Sequence, residues 1–305
     1  MSDTFEAEVL ATFGRGLLVE LADGEVRKGR PFGRRLDVVC GDRVRCTVDA
    51  HGELMAREVL PRRSALWRSN ARGDSEVLAA NLDLLCVVIA PLPEPDFFMV
   101  DRYLSAAESA GLGALLVLNK HDLPLADAAR AELATYARIG YSPLEVGAKS
   151  GTGIEALALR LANHRAALVG QSGVGKSSLI RRLASDGDAI ITGTLARDDE
   201  GRHTTTASRR YLLAGGGMLI DSPGVRDFAP SIDHLEAASL GFIEVSAAAG
   251  GCRFQDCRHR EEPRCAVRAA VEAGSIAPRR YESYRRLRRL YEELNARRHP
   301  SQRLR

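Results

Sequence analysis

Residues 166–183 read AALVGQSGVGKSSLIRRL, and this stretch decides the fold. Ala166–Val169 is a short apolar run of strand character. Gly170, Gln171, Ser172, Gly173, Val174, Gly175, Lys176 and Ser177 then satisfy the spacing GxxxxGK[ST], and Leu179, Ile180 and Leu183 follow at helical spacing. Strand, glycine-rich loop and helix together are the setting in which this pattern binds phosphate. The glycines let successive backbone N–H groups point inward, and the helix opening at Lys176 adds its positive end. Lys176 is spaced to reach the β- and γ-phosphates of a nucleotide, which counts it among the catalytic groups. The Ser177 hydroxyl suits Mg²⁺, and Ser178 completes the nucleotide-binding run.

The alternation of strands and helices extends to both sides. Leu82–Ala90 is almost continuously apolar, as a parallel strand covered on both faces must be. Val100, Tyr103, Leu104 and Ala107 recur at helical spacing, Leu115–Leu118 and Met218–Ile220 read as strands, and helices are expected over 126–137, 154–162 and 176–183. The pattern predicts a doubly wound α/β domain over about 81–230.

Three further loops in that domain carry nucleotide chemistry. Asn119-Lys120-His121-Asp122 follows an apolar strand. The Asp122 carboxylate can accept from guanine N1–H and from the 2-amino group, donors that adenine lacks. Losing such a buried polar pair costs roughly 10⁴-fold in discrimination. Lys120 can lay its stem on the base, and Asn119 can tie this loop to the phosphate loop. Gly147-Ala148-Lys149 resembles the SAK loop of guanine-nucleotide sites: the Ala148 N–H can serve guanine O6, but Gly147 brings no hydroxyl. Asp221-Ser222-Pro223-Gly224 ends the strand GGGMLID, placing Asp221 for the Mg²⁺ shell, directly or through water, and the Gly224 N–H for the γ-phosphate.

The flanks differ in character. The first 62 residues alternate like short strands between glycine turns, with Val44, Cys46 and Val48 set against Arg43, Arg45 and Thr47. A small oligonucleotide-binding (OB-like) barrel fits, as does an SH3-like one. Residues 63–80 read as a polar, basic connector holding the only tryptophan, Trp67, placed either to pack one domain on the next or to stack on RNA. From 231 onward, Cys252, Cys257, His259 and Cys265 offer three thiolates and an imidazole within fourteen residues. That set matches one closed, structural Zn²⁺ site; a disulfide is the alternative. Cys40, Cys46 and Cys86 read as buried small hydrophobes. An α-helical C-terminal unit over 231–305 is expected. Its last thirty residues hold ten Arg against three Glu, so either a solvated helix face or a phosphate-facing surface is in prospect. The whole-chain charge of +3 is too small to decide. No apolar run nears the roughly 20 residues of a membrane span. The N-terminus lacks a secretory layout, so a cytoplasmic protein without membrane partners is expected.

The order of the motifs is permuted. NKHD and GAK precede the phosphate loop, and DSPG comes last, whereas in an ordinary GTPase the phosphate loop comes first and the base loops last. With the stretch GRHTTT at 201–206, the N-terminal barrel and the C-terminal cysteines, the chain resembles the RsgA (YjeQ) family of ribosome small-subunit-dependent GTPases along nearly its whole length. The resemblance implies GTP/GDP, Mg²⁺ and one Zn²⁺ on the four ligands above. It implies the small ribosomal subunit and its rRNA as partners, and action late in subunit maturation. It also points to GRHTTT as a loop ordering around nucleotide: one of Thr204, Thr205 and Thr206 for Mg²⁺, with Thr205 chosen, and His203 for positioning water. Where Ras-like enzymes carry a water-orienting Gln, this chain has Val225, so unaided hydrolysis is expected to be slow. A monomer is expected. Two other readings stay open: an RNA-binding translational regulator that uses GTP only as a conformational ligand, and a P-loop kinase or ATPase, which NKHD disfavours.

Overall fold

The structure, a computed structural model, describes residues 4–14, 16–33, 36–69, 74–185, 208–221 and 230–298. Its N-terminal part is a barrel of β1 (Thr4–Phe13), β2 (Gly16–Leu21), β3 (Val26–Pro31), β4 (Arg43–Val48) and β5 (Leu54–Val59). The strand order is β1-β2-β3-β5-β4, closed by β1 pairing with β4, and β3–β5 is its parallel pair. This is OB connectivity, which decides against the SH3-like alternative. Val44 and Cys46 point into a core with Val9, Val19 and Leu54, while Arg43 and Arg45 face outward to Glu6 and Glu58. Thr47 departs from the expected alternation: it is buried and accepts from Arg57 Nε at 2.9 Å.

The stretch expected to be a plain connector is built. β6 (Ala65–Ser69) and β7 (Ser75–Ala80) form an antiparallel hairpin. Trp67 stacks on His234 with ring centroids 3.9 Å apart and planes 9° from parallel. Of its two readings, packing between parts of the chain is the one realised.

The central sheet contains β8 (Leu84–Ile89), β9 (Gly113–Leu118), β10 (Leu144–Glu145), β11 (Arg165–Val169), β12 (Ser208–Leu212) and β13 (Met218–Asp221), ordered β10-β9-β8-β11-β13-β12. All neighbours run parallel except β12–β13. On β8, Leu85, Val87 and Ile89 join the core of α1 (Phe97–Ser109) and α2 (Asp127–Arg138). Leu84, Cys86 and Val88 join that of α3 (Ile154–Leu161) and α4 (Lys176–Leu183). Burial on both faces explains the unbroken apolar run. The winding reverses between β8 and β11, and such a switch point opens a crevice beyond the carboxyl ends of the strands.

The barrel and the central sheet are one hydrogen-bonded sheet, joined where β1 pairs antiparallel with β12. Buried Arg210 reaches from β12 to Glu20 at 3.0 Å and Glu8 at 3.5 Å, and Arg165 from β11 forks onto Glu8 at 2.8 and 3.1 Å.

The C-terminal part holds α5 (Ile243–Ala249), α6 (Ala266–Glu272) and the 21-residue α7 (Pro278–Arg298). Several of its arginines serve neither a solvated face nor a phosphate-facing surface but turn inward. Arg280 is 2% exposed and binds Asp101 at 2.7 Å and both Glu244 oxygens at 2.7 and 2.9 Å. Arg279 joins Asp101 at 2.7 Å and also Glu132. Arg288 is buried on the carbonyls of Ala237 and Ala238 at 2.7 and 2.5 Å. Arg286 and Arg289 are exposed on α7. Burial opposes the Arg280 charge, but Asp101 and Glu244 outweigh it and hold its pKa above the ordinary arginine value. Burial likewise pushes the Tyr136 phenol up, helped by the adjacent Asp101. The apolar stripe of Tyr284 and Leu287 packs on Phe242 and Val245 as its spacing suggests.

Arg280→Ala leaves Asp101 and Glu244 buried with one cation fewer, a change that costs about 3–5 kcal/mol. A clear fall in melting temperature is expected, with α7 amides losing hydrogen-exchange protection before the central sheet; an unchanged melting curve would contradict the buried-pair account.

Candidate functional site

The phosphate loop leaves β11 at the switch point and is held by close backbone contacts. Gly170 sits at φ 140°, where a Cβ would strike the Val88 carbonyl, and Gly175 at φ 98°, where a Cβ would strike the Asn119 amide nitrogen. Neither position accepts another residue without displacing a neighbour. Lys176 is buried, and its ammonium donates to the carbonyls of Gly170 and of Gln171, the latter at 2.8 Å. Ser177 is exposed at the start of α4. Gln171 bridges to the loop before α1, donating to the Glu94 carbonyl at 3.2 Å and accepting from the Asp96 N–H at 3.1 Å.

Asn119 makes the tie that its motif implies, and a second one. It is 1% exposed; its Nδ2 donates to the Val174 carbonyl at 2.8 Å and its Oδ1 accepts from the Ala148 N–H at 3.1 Å. One side chain therefore fixes the NKHD loop, the phosphate loop and the GAK loop together. Lys120, at φ 57°, donates from Nζ to the carbonyls of Gly173 and Leu92, each at 2.7 Å, so its stem crosses between base loop and phosphate loop. The His121 N–H donates to the Val146 carbonyl at 3.2 Å. Asp122 is exposed at the mouth of a cleft of about 190 Å³ lined by Asn119, Lys120, Asp122, Leu123, Ala148, Lys149, Gly175 and Ser178. The cleft unites base-loop residues with the start of α4.

A Cβ on Gly147 would collide with the Ser150 hydroxyl, so Ser150 fills the space that the missing side chain leaves. Asp221 is buried at the end of β13, beside β11, whose own end launches the phosphate loop. Gly224, Val225, His203 and Thr204–Thr206 lie outside the described residues.

A match to the RsgA GTPase family model spans residues 59–230, from the end of the barrel through DSPG. The chain belongs to the RsgA GTPase family. It is 44% identical over 293 residues to the small ribosomal subunit biogenesis GTPase RsgA of Azotobacter vinelandii, covering 92% of this chain and 83% of that one. It is 42% identical over 287 residues to the Pseudomonas fluorescens protein of the same name, with coverages of 91% and 83%. Among solved structures, YjeQ from Thermotoga maritima matches with a TM-score of 0.69 at 29% identity, over 96% of this chain and 99% of that one. The circularly permuted GTPase YloQ matches with a TM-score of 0.71 at 21% identity, over 95% and 96%, and supports the fold. This RsgA-family chain is a GTP-hydrolysing enzyme with the permuted motif order, so the kinase and ligand-only readings fall away.

The second cluster lies in the C-terminal part. Sγ of Cys252, Cys257 and Cys265 and a ring nitrogen of His259 all lie within 4.8 Å of one another. Cys252 Sγ and Cys265 Sγ are each 3.5 Å from His259 Nδ1 and 3.9 Å from each other. A tetrahedral zinc with its usual bond lengths has S–S edges of roughly 3.8 Å and S–N edges of roughly 3.5 Å. The donor set and its spacing fit zinc. Burial, with help from Arg288, lowers the His259 pKa and favours the neutral, ligating imidazole. Tyr281 donates to the His259 carbonyl at 2.5 Å and Tyr284 to that of Arg258 at 3.2 Å, so α7 supports the Cys/His loop as well as the cluster of ion pairs. The buried thiols of Cys40 and Cys86 are each pushed up to about 12 by desolvation, in keeping with a packing role.

Two site features were out of reach of motif reading. Arg182 on α4 donates to the carbonyls of Ala148 and Lys149, and Lys120 grips Leu92. These pairs are long-range, and a lone Arg or Leu carries no local signal for them.

Purified protein is expected to carry one zinc per chain. Stripping it with a strong chelator should melt the segment 252–265 and loosen α7, read as lost exchange protection there, while the central sheet keeps its protection. Zinc-free protein with unchanged protection would remove the structural role.

Proposed function

We propose that this enzyme binds the small ribosomal subunit and acts late in its maturation, hydrolysing GTP to GDP and phosphate with subunit stimulation. The observation that carries the nucleotide half is the single cleft at the switch point onto which Asn119 draws three loops. The partner half is supported by the small-subunit biogenesis GTPases to which the chain is similar and by the barrel. There Phe32, 54% exposed, has the Arg57 guanidinium 3.7 Å from its ring centroid, beside a groove of about 600 Å³ lined also by Arg30 and Met55. Exposed aromatic and guanidinium planes are surfaces on which unpaired bases stack, and rRNA offers such bases.

In this reading the chain works as a cytoplasmic monomer divided into a barrel (1–62), a linker (63–80), a permuted GTPase domain (81–230) and a zinc-binding unit (231–305). Among the described residues no helix is long and apolar enough to cross a membrane. Gly170–Ser178 cradle the phosphates, Asn119–Asp122 and the Ala148–Lys149 loop read the base, and the Gly224 N–H follows the γ-phosphate. Ser177, Asp221 and Thr205 would hold Mg²⁺, which would supply positive charge to neutralise that of the phosphates. Lys176 binds those phosphates, and His203 positions the water in place of a side chain that Val225 lacks.

GTP turnover is expected to be slow alone and to rise steeply with added small subunits; no rise would overturn the small subunit as the stimulating partner. In the same assay His203→Ala should lower stimulated turnover on the order of a hundredfold with little change in GTP affinity. Equal turnover would remove His203 from the mechanism. Asp122→Asn should shift preference from GTP toward xanthosine triphosphate by roughly a hundredfold or more, and an unchanged preference would mean that Asp122 does not read the base.

A further inference from the structure

Arg182, near the end of α4, reaches back across the site. Its Nε donates to the Ala148 carbonyl at 3.1 Å and a terminal guanidinium nitrogen donates to the Lys149 carbonyl at 3.2 Å. Both loop residues line the cleft between the base loop and the start of α4. The loop has no side chain at Gly147 to brace it from within, and Ser150 occupies that space.

A trans peptide is planar, with its C=O and N–H on opposite sides. Holding the Ala148 carbonyl against the guanidinium therefore turns the N–H of the same peptide, that of Lys149, away from Arg182. Holding the Lys149 carbonyl fixes the next plane as well. A rigid, planar fork sets two successive carbonyls at little entropic cost, which a flexible ammonium does less well. The Ala148 N–H, meanwhile, is donated to Asn119 Oδ1 at 3.1 Å. The loop donor that this arrangement leaves to meet a purine 6-oxo group is the Lys149 N–H.

We propose that Arg182 is a positioning residue for base recognition, orienting the Lys149 amide toward the 6-oxo group of guanine and locking that loop to the helix that begins with Lys176. The phosphate-binding and base-reading halves of the site are thereby joined through α4 as well as through Asn119. This rests on the reading of the cleft as the guanine pocket.

The test uses the purified full-length chain and competition binding with GTP, ATP and 6-thio-GTP. The thio analogue keeps the N1–H and 2-amino donors but replaces the 6-oxo acceptor with a weaker one. Arg182→Ala is expected to weaken GTP roughly tenfold and 6-thio-GTP much less, narrowing the preference for oxygen over sulfur. The loss should appear in KM, with kcat for bound GTP nearly retained. Arg182→Lys, which keeps charge without the planar fork, should fall between, and it serves as the probe if the alanine variant folds poorly. Equal losses for the two nucleotides, or a fall in kcat with KM unchanged, would overturn the proposal while leaving the pocket in place. A wild-type chain with no preference for GTP over ATP would instead overturn the reading of the cleft itself.

Discussion

Asn119 lies buried at the end of β9, and the amide group of this one residue must satisfy the backbone of two other loops: it donates to Val174 and accepts from Ala148. A buried amide left half-paired is costly, so the three loops hold their mutual positions or lose that bond together. Gly175 is part of the same constraint, because any side chain there would occupy the space of the Asn119 amide. The cleft is thus a consequence of packing as much as of motif. It sits where the winding of the sheet reverses, the position at which an open α/β sheet leaves a crevice.

The permutation leaves this geometry intact. In space β11, with the phosphate loop, lies between β8 and β13, so the phosphate loop, base loop and Asp221 gather at the same ends of neighbouring strands whatever their order along the chain. What changes is the chain's exit. After Asp221 it passes to the C-terminal part, which is bound back onto the GTPase helices by Asp101, Arg279, Arg280, Glu132 and Glu244. Buried ion pairs of this kind confer geometry more than net stability. The same helix α7 also supports the Cys/His cluster through Tyr281 and Tyr284.

The arginines of α7 show the limits of composition. Ten cationic residues near one end suggest a surface for phosphate, yet Arg279, Arg280 and Arg288 are turned inward against carboxylates and carbonyls. Their acidic partners lie on α1, α2 and α5, far away in sequence. In a similar way, the polar stretch with Trp67 carries no strong periodicity, and its structure comes from the antiparallel pairing of β6 with β7 and the stacking of Trp67 on His234.

The GxxxxGKS and NKHD loops, the permuted order, the doubly wound class and the clustering of Cys252, Cys257, His259 and Cys265 were legible along the chain. Each of these depends on local spacing or on the periodicity of burial along a single element. The OB connectivity of the barrel, its merger with the central sheet through β1 and β12, and the inward role of Arg279, Arg280 and Arg288 emerge only when the chain is folded. Folding alone brings Arg182 to the GAK loop. Those features arise from pairings between segments tens to hundreds of residues apart, for which neighbouring residues carry no signal. The nucleotide loops could be read one by one, but the buried asparagine shows how they are held as one site.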